Sequence, residues 1–278
     1  MKVGEPEDTI QPACLHKTLA DTRSKYRLYS VPGGMIYLDV HESKMMRARA
    51  FGRYEQNKMN LIMVWLKPGG TFVGVGSNKG DFTPLAAKVV GRDGKVLSFE
   101  PEPDNCYWIR KSVEANGYRN IELFEVALST ADGTASLYLG SKSGWHTLLP
   151  GHPNRSNGAV TVMTRKLDSV LREANQTRVD MIKIDVEGAE LEVLKGARQA
   201  LSDNLNIVLL MDLHPYLGVE LDEVFKILEE LDLKVYKLQT PFNIPATANR
   251  ELSEILAYRG SREGVGIEVE NSVSTWAL

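Results

Sequence analysis

Two cysteines, Cys14 and Cys106, are all that 278 residues contain, so no disulfide framework is available. That scarcity fits a reducing compartment, and Cys106, inside a predicted helix, reads as a small buried apolar residue. No apolar run approaches the length of a membrane span. The first residues carry Glu5, Glu7 and Asp8 and no apolar stretch, so no secretory signal is read and a cytoplasmic location is expected. The net charge is only -3, with a pI near 6.0, so the chain has no basic footprint and no nucleic-acid partner is expected. Internal repeats and low-complexity segments are also missing. What is present is a 43% hydrophobic content, enough for a sizeable core and too much for global disorder. The length suits one large α/β domain with an appendage, or two small domains.

The chain is organised around Thr71 to Lys88. Phe72, Val73 and Val75 form a short apolar run that predicts a buried strand. It breaks at Gly74, Gly76 and Gly80, and a helix follows with Phe82, Leu85, Ala86, Val89 and Val90 on one face. Glycines let backbone approach a ligand closely, and the N–H groups of a first helical turn have no partners of their own. Glu100, at the end of the next predicted strand, suits a ribose hydroxyl pair. Two readings stand: a cradle for a nucleoside-type ligand, or a plain tight turn.

Around that centre, strand and helix alternate. Tyr26–Val31 and Met35–Val40, joined at Pro32-Gly33-Gly34, predict a hairpin. Asn57–Leu66 predicts a helix that ends at Lys67-Pro68-Gly69-Gly70. A short helix is read near Cys14 to Thr22. Strands follow at Val96–Phe99 and Ile121–Val126, with a helix between them over Pro103–Asn116. Thr134–Leu139 reads as strand, and Gly140–Gly158 as a long loop holding Trp145, His146 and His152. Val160–Thr164 resumes as strand and Leu167–Glu173 as helix. Met181–Asp185 and Leu205–Met211 are strands, with helices over Ala189–Leu201 and Leu221–Leu231. Leu233–Leu238 and Ile255–Tyr258 read as a closing antiparallel pair. Such alternation argues for a mostly parallel sheet covered on both faces.

Four blocks then align with a known family. They are Phe72-Val73-Gly74-Val75-Gly76-Ser77-Asn78-Lys79-Gly80, Phe99-Glu100-Pro101, Leu167-Asp168-Ser169, and Ile182-Lys183-Ile184-Asp185-Val186-Glu187-Gly188-Ala189-Glu190 with Leu194-Lys195-Gly196-Ala197. Over about residues 50 to 258 the chain resembles the FkbM-type methyltransferases, which use S-adenosylmethionine. The resemblance implies a Rossmann-like class I methyltransferase fold: a seven-stranded, mostly parallel sheet with helices on both faces. Here it carries an N-terminal β-hairpin and helix extension. The division expected is an extension over 1–55, a methyltransferase domain over 56–260 and a tail over 261–278. Two departures stand out. The family usually has an acid at the position of Gly74, and Glu55 is the substitute carboxylate read here. The strand before His214 usually ends in Glu-x-His, and this one ends in Asp212-Leu213-His214.

The resemblance implies roles for particular residues. Gly74, Gly76, Ser77, Asn78 and Gly80 would surround the methionine part of the donor, with Glu55 and Asp185 near it. Glu100 and Pro101 would hold the ribose, with Glu100 accepting from both hydroxyls. Val126 and Ala127 would neighbour the adenine, or else be core. Lys183 and Asp185 alternate on one strand and so share a side. Asp185, Glu187, Asp212 and His214, at strand ends, would converge on the transferred methyl, with His214 or a carboxylate as general base. Asp212 and His214 have a bland alternative as a helix cap and a structural histidine, and Lys183 as an ion-pair partner. Asp185 and Asp212 are also candidates for a magnesium ion, with no compact ligand motif behind them. Trp145, His146 and Thr147 would form a substrate lid, or the indole simply anchors its loop. The hairpin would pair across a homodimer or cover the sheet edge.

The leading expectation is methylation of a hydroxyl on a small sugar-, lipid- or polyketide-like acceptor. Two alternatives remain: a non-catalytic S-adenosylmethionine-binding protein, suggested by Gly74, and a nicotinamide-dinucleotide oxidoreductase. Against the second, Gly80 falls one residue late for the dinucleotide pattern, and the Asp185–Glu190 block has no place in it.

Overall fold

A computed structural model describes residues 25–151, 155–238 and 254–259. Cys14, the helix expected near Cys14 to Thr22, His152 and the tail 261–278 lie outside the described residues. The chain opens with strands β1 (Arg27–Val31) and β2 (Gly34–Leu38), then helices α1 (Lys44–Ala50) and α2 (Gln56–Trp65). Next come β3 (Thr71–Val75), α3 (Thr83–Val90), β4 (Lys95–Phe99), α4 (Pro103–Asn116) and β5 (Ile121–Phe124). Three strands follow, β6 (Val126–Leu128), β7 (Gly133–Gly140) and β8 (Arg155–Arg165), then α5 (Leu167–Glu173) and β9 (Met181–Ile184). The last elements are α6 (Glu190–Gly196), α7 (Arg198–Asp203), β10 (Val208–Asp212), α8 (Leu221–Glu230), β11 (Lys234–Lys237) and β12 (Glu254–Tyr258).

The main sheet has seven strands in the order β11-β12-β10-β9-β3-β4-β5. Neighbours from β10 to β5 are parallel, and β12 runs antiparallel to both β10 and β11. Every residue of β3, β9 and β10 is buried, which is why these strands read as continuous apolar runs rather than alternating ones. The period of two still sorts their side chains. Val73 and Val75 join Leu97, Ile182 and Leu209 against α5, α6 and α8. Phe72 joins Val96, Met181 and Leu210 against α2 and α3. Two cores therefore sandwich the sheet. From β3 the chain first runs outward to β4 and β5, then returns to place β9 on the other side of β3. That reversal leaves a crevice beyond the carboxyl ends of β3 and β9, where open α/β sheets bind ligands.

Several local expectations need correction. The strand read over Ile121–Val126 ends at Phe124, and Val126 opens β6 in a different sheet. The helix read over Ala189–Leu201 is two helices, α6 and α7, with the break at Ala197. A Cβ on Gly196 would lie 2.0 Å from the Ser129 carbonyl oxygen, so the bare backbone lets the turn after β6 press against this point. The long loop is shorter than read: β8 begins at Arg155 and pairs antiparallel with β7, and both belong to a three-stranded sheet ordered β6-β8-β7. The remaining loop is tied down by a short 3-10 turn at Ser143–Trp145 and by two main-chain bonds between Tyr138 and Thr147. Helix α1 has no counterpart in the sequence reading; Ser43 Oγ caps it by accepting from Met46 N at 3.1 Å. Finally, the hairpin lies on helices, not on a sheet edge. Tyr37 N donates to Ser112 Oγ and Met35 N to Asn116 Oδ1, both on α4, while the turn at Gly33 packs against α3 so closely that a Cβ would lie 2.3 Å from Leu85 Cα. No helix among the described residues is long and apolar enough to cross a membrane.

Candidate active site

A cavity of about 760 Å³, part of it open to solvent, lies at the carboxyl ends of β3, β4 and β9. Its walls are the glycine turn (Val75, Gly76, Asn78), the end of β4 (Phe99, Glu100, Pro101), β6 (Val126, Ala127, Leu128) and the end of β9 (Asp185, Val186, Glu187). The loop from Ser143 to Leu148 closes one side, and Met45, Arg49 and Tyr54 close another.

The glycine turn is held from below. Gly76 N and Ser77 N both donate to the Phe99 carbonyl at 3.0 Å. Gly76 has φ +75°, and a Cβ there would sit 1.8 Å from the Asp185 carbonyl oxygen, so only glycine can occupy the position. Asn78 is also left-handed, at φ +50°, a conformation asparagine tolerates. Its N–H donates to Glu100 Oε2 at 2.7 Å. Glu100 Oε1 accepts from Glu102 N at 3.1 Å and Asn105 Nδ2 at 3.2 Å. Burial pushes the Glu100 carboxyl up to about 7, against the pull of those three donors. Three of its roughly four acceptor sites are therefore taken. One acceptor site, on Oε2, is left open toward a ligand. Gly74 and Ser77 line a separate, smaller void with Phe82 and Lys183, and Gly80 turns the chain beneath Ser77; none of the three is on the cavity wall, apart from their neighbours Gly76 and Asn78.

At the far end charges from distant segments meet. Lys183 Nζ lies 2.7 Å from Asp185 Oδ2 and 3.4 Å from Asp212 Oδ2. Lys58, 2% exposed, pairs with Asp212, with Glu254 at 3.1 Å and with Glu55 at 3.4 Å. Burial opposes ionisation of Asp185, yet Lys183 and then His214 hold its carboxyl well below the ordinary range. Asp212 goes the other way: burial pushes it up to about 7 despite the Lys58 ammonium. Glu55 is thus brought to Lys58 and not to the cavity wall.

His214 follows β10 and faces this cluster. Its Nδ1 is 2.7 Å from Glu190 Oε1, a carboxylate that is fully buried in the first turn of α6. Its Nε2 lies 3.7 Å from Glu187 Oε1 and 3.9 Å from Asp185 Oδ1. Burial works against the imidazolium, but the bond to Glu190 and the nearby carboxylates outweigh it and push His214 up to about 9. Glu187 is pushed up to about 8, first by burial.

The loop residues divide. Thr147 lines the cavity, and its hydroxyl donates to the Glu187 carbonyl at 2.6 Å, fastening the loop to the end of β9. His146 also lines it, its Nδ1 accepting from Gly140 N at 3.1 Å, and burial lowers its pKa. Trp145 is not on the wall; its ring carries the Lys142 ammonium 4.1 Å above it. Sequence reasoning missed Glu190, Arg49 and Tyr54. Glu190 sat inside the motif block, where nothing marks an acid as fully buried, and Arg49 and Tyr54 precede Glu55 in a stretch that resembles the family but does not mark either as lining a cavity.

The residues suggested for magnesium do not suit it. Asp185 and Asp212 are bridged by one ammonium, and a second sits against Asp212, so a divalent cation there would meet two like charges. Asp185, Glu187 and His214 also bring ligand-type atoms within 4.8 Å of one another, and a metal there would have to displace the proton that Glu190 and the nearby carboxylates favour on His214.

This sheet order, with a glycine turn and a buried carboxylate at its switch point, defines a Rossmann-like class I methyltransferase fold. A family model described as "Methyltransferase FkbM domain" matches residues 74–235, more than half of the chain, and the chain belongs to that family. Membership displaces the dinucleotide reading. The chain is 29% identical over 181 residues to the hexuronic acid methyltransferase AglP of Haloferax volcanii, covering 65% of this chain and 70% of that one. It is 27% identical over 160 residues to the 2-O-methyltransferase NoeI of Sinorhizobium fredii, covering 51% and 63%. The chain thus spans about two thirds of the length of these relatives. A solved FkbM methyltransferase from Methylobacillus flagellatus superposes with a TM-score of 0.47 at 16% identity, covering 78% of this chain and 54% of that one.

Proposed function

We propose that this chain transfers a methyl group from S-adenosylmethionine to a hydroxyl of a small, sugar-like acceptor. The observation that carries the reading is the pair His214–Glu190. Glu190 holds the ring through Nδ1 and leaves Nε2 3.9 Å from Asp185 and 3.7 Å from Glu187, which line the cavity with Glu100, although His214 itself is not among the wall residues. The names of two relatives, a hexuronic acid methyltransferase and a 2-O-methyltransferase, support the acceptor class.

The residues fit such a donor. Glu100 keeps one acceptor site for a ribose hydroxyl, Val126 and Leu128 offer an apolar wall to a base, and Asn78, which lines the cavity, has a buried Oδ1 atom without a partner. Bound there, S-adenosylmethionine supplies a methyl group already activated as a sulfonium. The carboxylate of Asp185, held ionised, favours positive charge at that end of the cavity. What the protein adds is position, and holding two groups in line lowers a barrier by as much as about 7–11 kcal/mol. His214 Nε2 takes the acceptor's proton, while Glu190 fixes the ring through Nδ1, the same division of labour as in a nucleophile–base–orienter set. With its pKa near 9, only about 1% of His214 is in the basic form at pH 7. The rate should therefore climb with pH. Thr147, by anchoring its loop to Glu187, would shape the acceptor's side of the cavity.

Incubation with methyl-labelled S-adenosylmethionine and a panel of glycosides, hexuronates included, tests the reading. Label on a sugar hydroxyl is expected. Label confined to nitrogen or carbon acceptors, or donor binding with no transfer across the panel, would overturn it.

A further inference from the structure

Asp81, the ion-pair partner of Arg49, has a buried Oδ1 with no hydrogen-bond partner; on the two cavity-lining residues Arg49 and Asn78, the buried atoms without a partner are Nε and Oδ1, respectively. Leaving such atoms unsatisfied is costly, and a ligand that satisfies them recovers that cost. They are opposite in kind, one a cationic donor and one an acceptor. Arg49 is held rigidly, with its NH2 group 2.9 Å from Asp81 and its guanidinium stacked 4.4 Å from the centre of the Tyr54 ring. It is 5% exposed, and its Asp81 partner directly follows the glycine turn that carries Asn78. A pair of this kind matches an α-amino acid, whose carboxylate needs donors and whose ammonium needs acceptors. Of the positions expected near the tail, Gly74 has no side chain, Glu55 is committed to Lys58, and Asp185 on the cavity wall is paired with Lys183.

We propose that Arg49 binds the α-carboxylate of the donor's methionine tail and that Asn78 Oδ1 accepts from its α-ammonium. Helix α1, which lies before the matched domain, thereby completes the donor site. The inference rests on the donor reading given above.

The test is calorimetric titration with S-adenosylhomocysteine and with 5′-methylthioadenosine, which shares the nucleoside but lacks the amino-acid tail. The wild-type protein should prefer the first by about 10- to 100-fold. Arg49→Met should shrink that preference to about threefold or less, with methylthioadenosine affinity unchanged within about twofold. Because Arg49→Met alone strands a buried carboxylate, the double variant Arg49→Met/Asp81→Asn is the control for folding, and the same result is expected of it. Asn78→Gly, which tolerates the positive φ, should lower the preference by about tenfold. The proposal is overturned if the double variant keeps the full preference, or if both ligands weaken equally, which is the mark of a packing role. If the wild-type protein binds neither nucleoside, the donor reading itself fails and takes this assignment with it. Retained binding of methylthioadenosine separates the two failures.

Discussion

At one end of the cavity, Glu100 is held by three N–H donors, all from residues within 22 positions of it. Beyond the other end, which Asp185 lines, Asp185, Asp212, His214, Lys58 and Lys183 meet, with partners as far as 154 and 196 residues apart in sequence. The first end is a turn, a strand end and a helix cap that build themselves locally. The second exists only once β9, β10, α2 and β12 have assembled. Polar bonds organise the first; balanced buried charge organises the second, where removing one member leaves its partner exposed to the full desolvation cost.

That contrast can be broken most severely at the point where the two ends touch. Gly76→Ala would drive a Cβ into the Asp185 carbonyl from a left-handed backbone. It should destabilise the fold by about 3 kcal/mol or more and abolish donor binding. Gly74→Ala, two residues away, meets only the movable side chains of Ser77 and Phe72, and should cost about 1 kcal/mol or less. Thermal unfolding of both variants decides whether the loop's glycines divide this way. Next in size, His214→Ala should lower kcat by about 10²- to 10⁴-fold while donor affinity stays within about threefold. A matching loss in donor affinity would merge the two ends into one.

The electrostatic end can be sharpened by its pH dependence. A base pushed up to about 9 is mostly protonated at neutral pH, so kcat/KM should rise about tenfold per pH unit and level off near pH 9. Glu190→Gln removes the main force raising that pKa, so the levelling point should move down. A profile flat from pH 6 to 9 would remove His214 as the base. Smallest of all, Trp145→Ala should change kcat/KM by about twofold or less, because the indole is off the cavity wall, whereas Thr147→Val should cost about 1 kcal/mol by freeing the loop from Glu187. Steady-state kinetics on the two variants tests that order.

How much of this could be read in advance follows the same division. The parallel sheet, its closing antiparallel pair and the positions of Gly76, Asn78 and Glu100 were legible because periodicity and turn chemistry are local signals. Helix α1 was not: it is only seven residues long, and its value lies in where Arg49 ends up, beside Asp81. Glu190 and His214 are 24 residues apart on different elements, so their bond is a product of the fold. Residues 140–158 read as loop because Gly, Ser, Asn and Pro dominate them. Strand β8 nevertheless starts at Arg155, because β7 offers it a ladder that no local pattern announces.

The account's central claim is that a donor nucleoside lies across this cavity with its ribose on Glu100. Glu100→Gln keeps the shape of the side chain and removes the charge. Calorimetry with S-adenosylmethionine at pH 8 should show one site in the wild-type protein and about tenfold weaker binding in the variant. Wild-type affinity should also fall as the pH drops through about 7, where Glu100 takes up a proton. Equal affinity for wild type and variant across that pH range, or no heat from either, would contradict the claim.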